Sequence, residues 1–287
     1  MIVEEIKLQE GISEASLTAY LQASTYNSHE LTGRPAVIVC PGGAFLGYTE
    51  KEAEPVALRF ISEGYQAFVL KYSIGDMAHF PAPIIDAAKA VWLVREHAER
   101  WGINPYKISL CGFSAGAYVV AALGAMWQEA YLAKALNVEK NSFKPNSLIL
   151  GYPILDLCRF RENNQGKTQE MNTLIEMMSR CIYGTATPTE TEMMEWDVRS
   201  RINSGYPPTF LWTSLEDSFV DVEQSLDFIK ELAVNGIRYE YHLFEKGVHG
   251  SSLGSIMAGF SEDAVNKLGN TPKWVDLALK WLKDVTD

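Results

Sequence analysis

The sequence predicts an α/β fold with a mostly parallel sheet, and three observations carry that reading. Short continuous apolar runs recur along the chain, as expected of strands covered on both faces: Ala36 to Cys40, Ala67 to Leu70, Ile108 to Cys111, Leu148 to Leu150 and Thr209 to Trp212. Between most of them lie stretches with apolar residues at helical spacing. No internal repeat, low-complexity tract or flexible linker interrupts the alternation, which is the pattern of a parallel sheet with crossover helices.

Taken in order, residues 2 to 8 and 15 to 22 alternate apolar and polar, and read as an antiparallel edge pair that starts the sheet. A loop rich in turn formers, Asn27 to Pro35, leads to the Ala36 strand, which ends in Pro41-Gly42-Gly43-Ala44-Phe45. Glu52 to Glu63 carries Ala53, Val56, Ala57, Phe60 and Ile61 at helical spacing and stops at Gly64. After the Ala67 strand, Pro81 to Trp101 reads as one long amphipathic helix, ended by Asn104-Pro105. The Ile108 strand runs into an uncharged helical stretch, Ala115 to Trp127. Residues 155 to 206 break the alternation. They hold Met171, Met177, Met178, Met193 and Met194, with a helix expected around Thr173 to Tyr183, and read as a cap over the sheet's C-terminal edge. The methionines are expected mainly to fill gaps between cap and body. The alternation returns with the Thr209 strand, a helix through Val222, Leu226, Ile229 and Ala233, a last strand from Arg238 to Phe244, and a closing helix from Trp274 to Val285. One domain over residues 1–287, with a cap-like insertion at about 155–206, is the simplest organisation.

Bulk properties narrow the partners. The 287 residues hold 25 basic and 36 acidic side chains, a net charge of −11. With no surplus of Lys or Arg to neutralise phosphates, nucleic acid and anionic membranes are not expected partners. The longest uncharged apolar run, Ala115 to Trp127, is shorter than the roughly 20 residues a membrane span needs. The N-terminus lacks a basic segment followed by an apolar one, and Cys40, Cys111, Cys158 and Cys181 lack C-x-x-C spacing. The expectation is a cytoplasmic protein with free thiols. No metal or nucleotide motif occurs, so no cofactor is expected.

The stretch that carries chemistry is Gly112-Phe-Ser-Ala-Gly116, a G-x-S-x-G pattern placed between a strand and a helix. A serine on such a turn has its hydroxyl pushed out of the sheet, and the flanking glycines let neighbouring backbone pass close by. Alone the pattern is weak, since it is often only a tight turn. Ligands of open α/β sheets bind beyond the carboxyl ends of the strands. Gly42-Gly43, Ser114, Asp217 and His249 all follow predicted strands at that edge, and the last three stand in the chain order Ser, Asp, His. Ser114 would be the nucleophile and His249 its base, with Asp217 orienting the imidazole. The N–H of Ala115, with donors from Gly42 and Gly43 and with Ala44 as a further candidate, would form the oxyanion hole. Glu216, Asp221 and Asp156 stand as alternatives for the acid. His29, His79, His97 and His242 read as structural or surface residues, and Asp86 as a charge near a helix N-terminus.

Pro41-Gly-Gly-Ala-Phe45, Gly112-Phe-Ser-Ala-Gly116, Asp217-Ser-Phe-Val220 and Gly247-Val-His-Gly250 together resemble the esterase/lipase type of the α/β-hydrolase superfamily. Within it they are similar to bacterial acetyl esterases and acetylxylan-esterase-like enzymes, and more distantly to hormone-sensitive-lipase-like esterases. Pro41 and Ala44 depart from the latter group, which has histidine and commonly a third glycine there. The resemblance implies a three-layer sandwich, a helical cap, and the roles assigned above to Ser114, Asp217, His249, Gly42, Gly43 and Ala115. It implies a serine carboxylesterase acting on small acyl esters, such as acetyl groups on a sugar or oligosaccharide. A short-chain lipase and a catalytically silent binding protein of the same fold are the alternatives, and a homo-oligomer is compatible with the sequence.

Overall fold

The computed structural model describes residues 1–8, 14–22 and 33–286. Residues 27–32 of the predicted loop, with His29, lie outside the described residues. The strands are β1 (Ile2–Lys7), β2 (Ser16–Leu21), β3 (Arg34–Cys40), β4 (Gln66–Lys71), β5 (Ile103–Phe113), β6 (Ser147–Gly151), β7 (Thr209–Ser214) and β8 (Tyr239–Phe244). They form one sheet in the order β1-β2-β4-β3-β5-β6-β7-β8. β2 pairs antiparallel with both β1 and β4, and every other pair is parallel.

This order has a consequence for the site. From β3 the chain crosses to β4 on one side, and from β5 it crosses to β6 on the other, so the strand order reverses between β3 and β5. At such a switch point the two loops diverge and leave a crevice beyond the carboxyl ends of the strands. The loop after Cys40 and the turn at Ser114 flank that crevice.

Helices cover both faces, giving three layers. Alternate residues of β3 point to opposite sides, Val37 and Val39 to one core and Ala36, Ile38 and Cys40 to the other. The Val37 face packs against α1 (Glu54–Ile61) and α11 (Trp274–Thr286) through Val56, Phe60, Trp274 and Ala278. The other face packs against α2 (Ala82–Glu96), α4 (Ala115–Met126) and α9 (Val222–Val234). Every residue of α4 is buried, which explains why it carries no charge. Fully burying a Val, Leu or Ile side chain contributes about 1.5–3 kcal/mol, so this helix is held by its packing on all sides.

Two elements differ from expectation. The predicted helix over 81–101 is interrupted at His97, whose backbone leaves helical geometry while its ring bonds the Leu93 carbonyl and stacks on Trp101 of α3 (Ala98–Trp101). β5 begins at Ile103, before Pro105. Its pairing with β3 shifts register between Arg34 and Ala36, and a proline is tolerated at such an irregularity because no regular ladder bond is demanded of it. The short helix α5 (Ala130–Leu136) was not evident in the pattern.

Residues 155 to 206 contain α6 (Leu157–Asn164), α7 (Gln169–Tyr183), α8 (Glu190–Met194) and a 3₁₀ turn at Arg199–Arg201. Thr168 and Thr189 cap α7 and α8 with their hydroxyls. Met178 is buried, whereas Met177 and Met194 are exposed, so only part of the methionine set fills core. The segment is tied to the body at the sheet's C-terminal end. Tyr118 of α4 donates to the Trp196 carbonyl at 2.6 Å, and Phe80 lies between the Tyr118 and Trp196 rings. α10 (Glu262–Lys267) precedes the closing helix.

Candidate active site

Glycine packing brings the two loops of the crevice together. A Cβ on Gly116 would fall 2.2 Å from the Cys40 carbonyl oxygen, and one on Gly112 would fall 2.6 Å from Ala117 Cα. Both glycines therefore let α4 start hard against the ends of β3 and β5. Ser114 occupies the turn with φ 50° and ψ −118°, a conformation unusual for a residue bearing a side chain. Its N–H donates to the Gly151 carbonyl at 3.1 Å. The residue is 6 % exposed.

His249 Nε2 lies 2.9 Å from Ser114 Oγ, and His249 Nδ1 lies 2.8 Å from Asp217 Oδ2. Asp217 Oδ1 accepts the N–H groups of Phe219 and Val220 at 2.9 and 3.0 Å. The carboxylate is thus fully hydrogen-bonded, and its side chain is 1 % exposed. The His249 ring is flanked by Phe219, centroids 4.6 Å apart, and Tyr152, 5.0 Å apart. The His249 loop is pinned where Ser214, the last residue of β7, donates to the Gly247 carbonyl at 2.7 Å. In this arrangement an Nε2 lone pair can take the serine proton while the carboxylate holds the Nδ1 proton.

Of the alternative acids, Asp156 is engaged elsewhere. It caps α6 by accepting the Arg159 N–H at 2.9 Å and pairs with Arg199 at 2.6 Å. Asp221 caps α9 through the Glu223 N–H, and Glu216 Oε2 accepts the Gly247 N–H at 3.4 Å.

The oxyanion side corrects one expectation. The Gly42 N–H donates to Glu52 Oε2 at 2.7 Å and is not free to donate elsewhere. Gly42 is held from its other end too, since its carbonyl accepts the Thr49 N–H at 2.9 Å. Among the described residues no acceptor takes the N–H of Gly43, Ala44 or Ala115. Gly43 has φ 137°, and Ala44 and Phe45 follow at φ 57° and 61°. A run of left-handed residues turns consecutive amides toward one side and makes a nest for an anion. Ala115 opens α4, so the helix's positive end adds to the same field.

Glu52 and Tyr152 were not singled out from the sequence. Glu52 sits in a 3₁₀ turn at Glu50–Glu52 and is 1 % exposed. Burial pushes its carboxyl up from the ordinary range, opposed by the donors on it from Tyr152 and Gly42. Tyr152 follows β6 at the same edge as Ser114, a signal that could have drawn notice; nothing local marks Glu52.

Of the other described histidines, His79 bonds the Ile182 carbonyl, His97 the Leu93 carbonyl and His242 Glu240. Asp86, early in α2, is buried and accepts both the N–H and the hydroxyl of Ser73. Burial pushes the thiols of Cys40 and Cys111 up, which keeps both protonated and unreactive. Among the described residues no three His, Cys, Asp or Glu side chains converge on a metal-sized site, and no helix is long and apolar enough to cross a membrane.

Comparison with known proteins agrees with this architecture. Residues 24–232 match the family designated BD-FAE. Endo-1,4-beta-xylanase B of Butyrivibrio fibrisolvens is 28 % identical over 84 % of this chain and 36 % of its own length. An acetylxylan esterase of Xylanibacter ruminicola is 21 % identical over 87 % of this chain and 45 % of its own. The chain therefore spans less than half the length of these two relatives. Among solved structures, an acetyl ester-xyloside bifunctional hydrolase from Caldicellulosiruptor lactoaceticus superposes with a TM-score of 0.77 at 27 % identity, covering 98 % of this chain and 96 % of that one. MGS-M1, an α/β hydrolase enzyme from a deep-sea metagenome library, gives 0.75 at 29 % identity, covering 100 % and 98 %. With that match over most of its length, the chain belongs to the BD-FAE family, among the α/β-hydrolases of the esterase/lipase type.

Proposed function

We propose that the protein is a serine carboxylesterase that removes short acyl groups, acetyl above all, from carbohydrate esters. The observation that carries the proposal is the unbroken chain Asp217–His249–Ser114, with bonds of 2.8 and 2.9 Å, together with the N–H groups of Ala115, Gly43 and Ala44, which have no partner among the described residues. In the reaction Ser114 Oγ attacks the ester carbonyl as His249 Nε2 takes its proton. The carbonyl oxygen becomes an oxyanion and is met by the N–H groups of Ala115 and of Gly43 or Ala44. His249 returns the proton to the leaving alcohol, which departs and leaves an acyl-serine. Water, activated by the same imidazole, releases the acid and restores the serine.

The carbohydrate assignment draws on the xylan-acting and acetyl-ester-acting names of relatives spanning most of this chain. The short acyl group draws on the aromatic packing near the nucleophile. Tyr118, one helical turn beyond Ser114, contacts Phe45 and stacks on Phe80 with centroids 6.1 and 5.3 Å away. A long acyl chain on that side would have to displace packed rings. The test is hydrolysis of p-nitrophenyl esters from acetate to octanoate, followed by acetylated xylo-oligosaccharides. Acetate should be preferred, and Ser114→Ala should abolish turnover with the circular dichroism unchanged. A preference for octanoate would overturn the short-acyl assignment, and substantial turnover by Ser114→Ala would overturn the mechanism.

A further inference from the structure

We propose that Glu52 is a positioning residue for the reaction, a buried carboxylate that locks the oxyanion loop at Gly42 and, through the Tyr152 hydroxyl, the His249 loop at Ser252. The proposal rests on the roles given above to Ser114 and His249.

Two segments bond this carboxylate directly, and a third reaches it through Tyr152. Oε2 accepts the Gly42 N–H at 2.7 Å, and Oε1 accepts the Tyr152 hydroxyl at 2.6 Å. The Tyr152 oxygen in turn accepts the Ser252 N–H at 3.1 Å, three residues beyond His249. The His249 loop is tied to the Glu52 turn a second time, because Ser252 Oγ donates to the Lys51 carbonyl at 2.5 Å. The Trp274 indole N–H fixes the Ser252 carbonyl at 2.8 Å. The loop bearing the free amides and the loop bearing the base are thus built against one side chain.

With Glu52 ionised, the Gly42 N–H, the Tyr152 O–H and the Ser252 N–H each have an acceptor. With Glu52 protonated, one hydroxyl proton in the chain would be left without an acceptor. Its charge also interacts favourably with Lys51 and with the imidazolium form of His249.

A scaffolding role alone accounts poorly for this choice of residue. Removing a carboxylate from water is costly, and a well-packed apolar group generally supports a core at least as well. What the carboxylate supplies is direction. With the N–H and C=O of Gly42 both engaged, the chain enters the left-handed run at Gly43, Ala44 and Phe45 at a fixed angle, next to the point where Gly42 packs against Ser114. A displacement of about 1 Å in such groups can lower a rate about 100-fold.

Glu52→Gln keeps the shape and removes the charge, and its amide nitrogen cannot accept a hydrogen bond. In the full chain kcat for p-nitrophenyl acetate should fall about 10- to 100-fold, with KM within about twofold of wild type. Affinity for phenylboronic acid, which forms a tetrahedral adduct on an active serine, should fall in parallel with kcat. Tyr152→Phe keeps the Gly42 bond and cuts the link to Ser252, and should lower kcat by about tenfold without raising KM. A folded Glu52→Gln protein with wild-type kcat and boronate affinity would overturn the proposal, as would a loss confined to KM. If Glu52→Gln does not fold, Tyr152→Phe decides, and an unchanged kcat overturns the proposal. A wild-type protein that neither hydrolyses the ester nor binds the boronate would overturn the esterase reading and this proposal with it, a result distinct from an active enzyme indifferent to Glu52.

Discussion

Replacing Asp217 by Asn perturbs one proton and little else. Asp217 Oδ1 accepts two backbone N–H groups at 2.9 and 3.0 Å, and the Asn carbonyl oxygen can keep both. The amide NH₂ then takes the place of Oδ2, 2.8 Å from His249 Nδ1. A donor now faces Nδ1, so the neutral ring must carry its proton on Nε2. That proton points at Ser114 Oγ, 2.9 Å away, where a lone pair is required. In a serine protease the equivalent change lowers kcat about 10⁴-fold through the wrong tautomer. The same geometry here predicts a fall of about 10³- to 10⁴-fold, or roughly 4–5.5 kcal/mol in the barrier. The assay is kcat and KM on p-nitrophenyl acetate, with circular dichroism and a urea titration to check the fold. A folded Asp217→Asn protein that loses less than about tenfold would refute this account of His249.

Three further predictions follow from the same contacts. Asp156→Asn retains a capping oxygen for Arg159 but loses the 2.6 Å ion pair with Arg199; it should cost about 1 kcal/mol in urea unfolding and leave kcat within about threefold. A larger loss of activity would move the triad acid to Asp156. Gly116→Ala places a methyl 2.2 Å from the Cys40 carbonyl, forcing α4 and the β3 loop apart by about 1 Å, and should lower kcat about 100-fold or more even where the protein folds. Wild-type turnover in that variant would show that the close approach is not needed. Burial raises the Asp86 carboxyl above its unfolded value, so the folded state holds that proton more tightly. Its contribution to stability is therefore present below the ordinary carboxylate range and is lost as pH rises through the raised value. Urea unfolding of wild type and Asp86→Asn should show the variant gaining relative to wild type as pH rises above about 4, and the opposite slope would contradict this.

Much of the site was legible in the sequence because a parallel sheet exposes its chemistry at one edge. Ser114 and Asp217 each follow a strand with a continuous apolar run, His249 follows the more polar last strand, and β5, β7 and β8 end at that edge. Which aspartate meets the histidine depends instead on side chains distant in sequence. Asp156 is drawn to Arg199 and the α6 amide, and no local pattern near Asp156 encodes that pairing. The donor in the oxyanion loop was left open among Gly42, Gly43 and Ala44 for the same reason. Gly42 and Gly43 are adjacent glycines in the sequence, and only the buried Glu52 carboxylate distinguishes their N–H groups. The helix break at His97 likewise depends on a ring that bonds Leu93 and stacks on Trp101, with no proline or glycine to mark it.

The central claim is that Ser114 is a nucleophile activated by His249. Mass spectrometry of the protein after brief exposure to a fluorophosphonate, with peptide mapping, tests it most directly. The account predicts a single phosphonyl adduct on Ser114, absent from Ser114→Ala and formed far more slowly in His249→Ala. An adduct on another residue, or ester hydrolysis that persists with Ser114 unmodified, would contradict it.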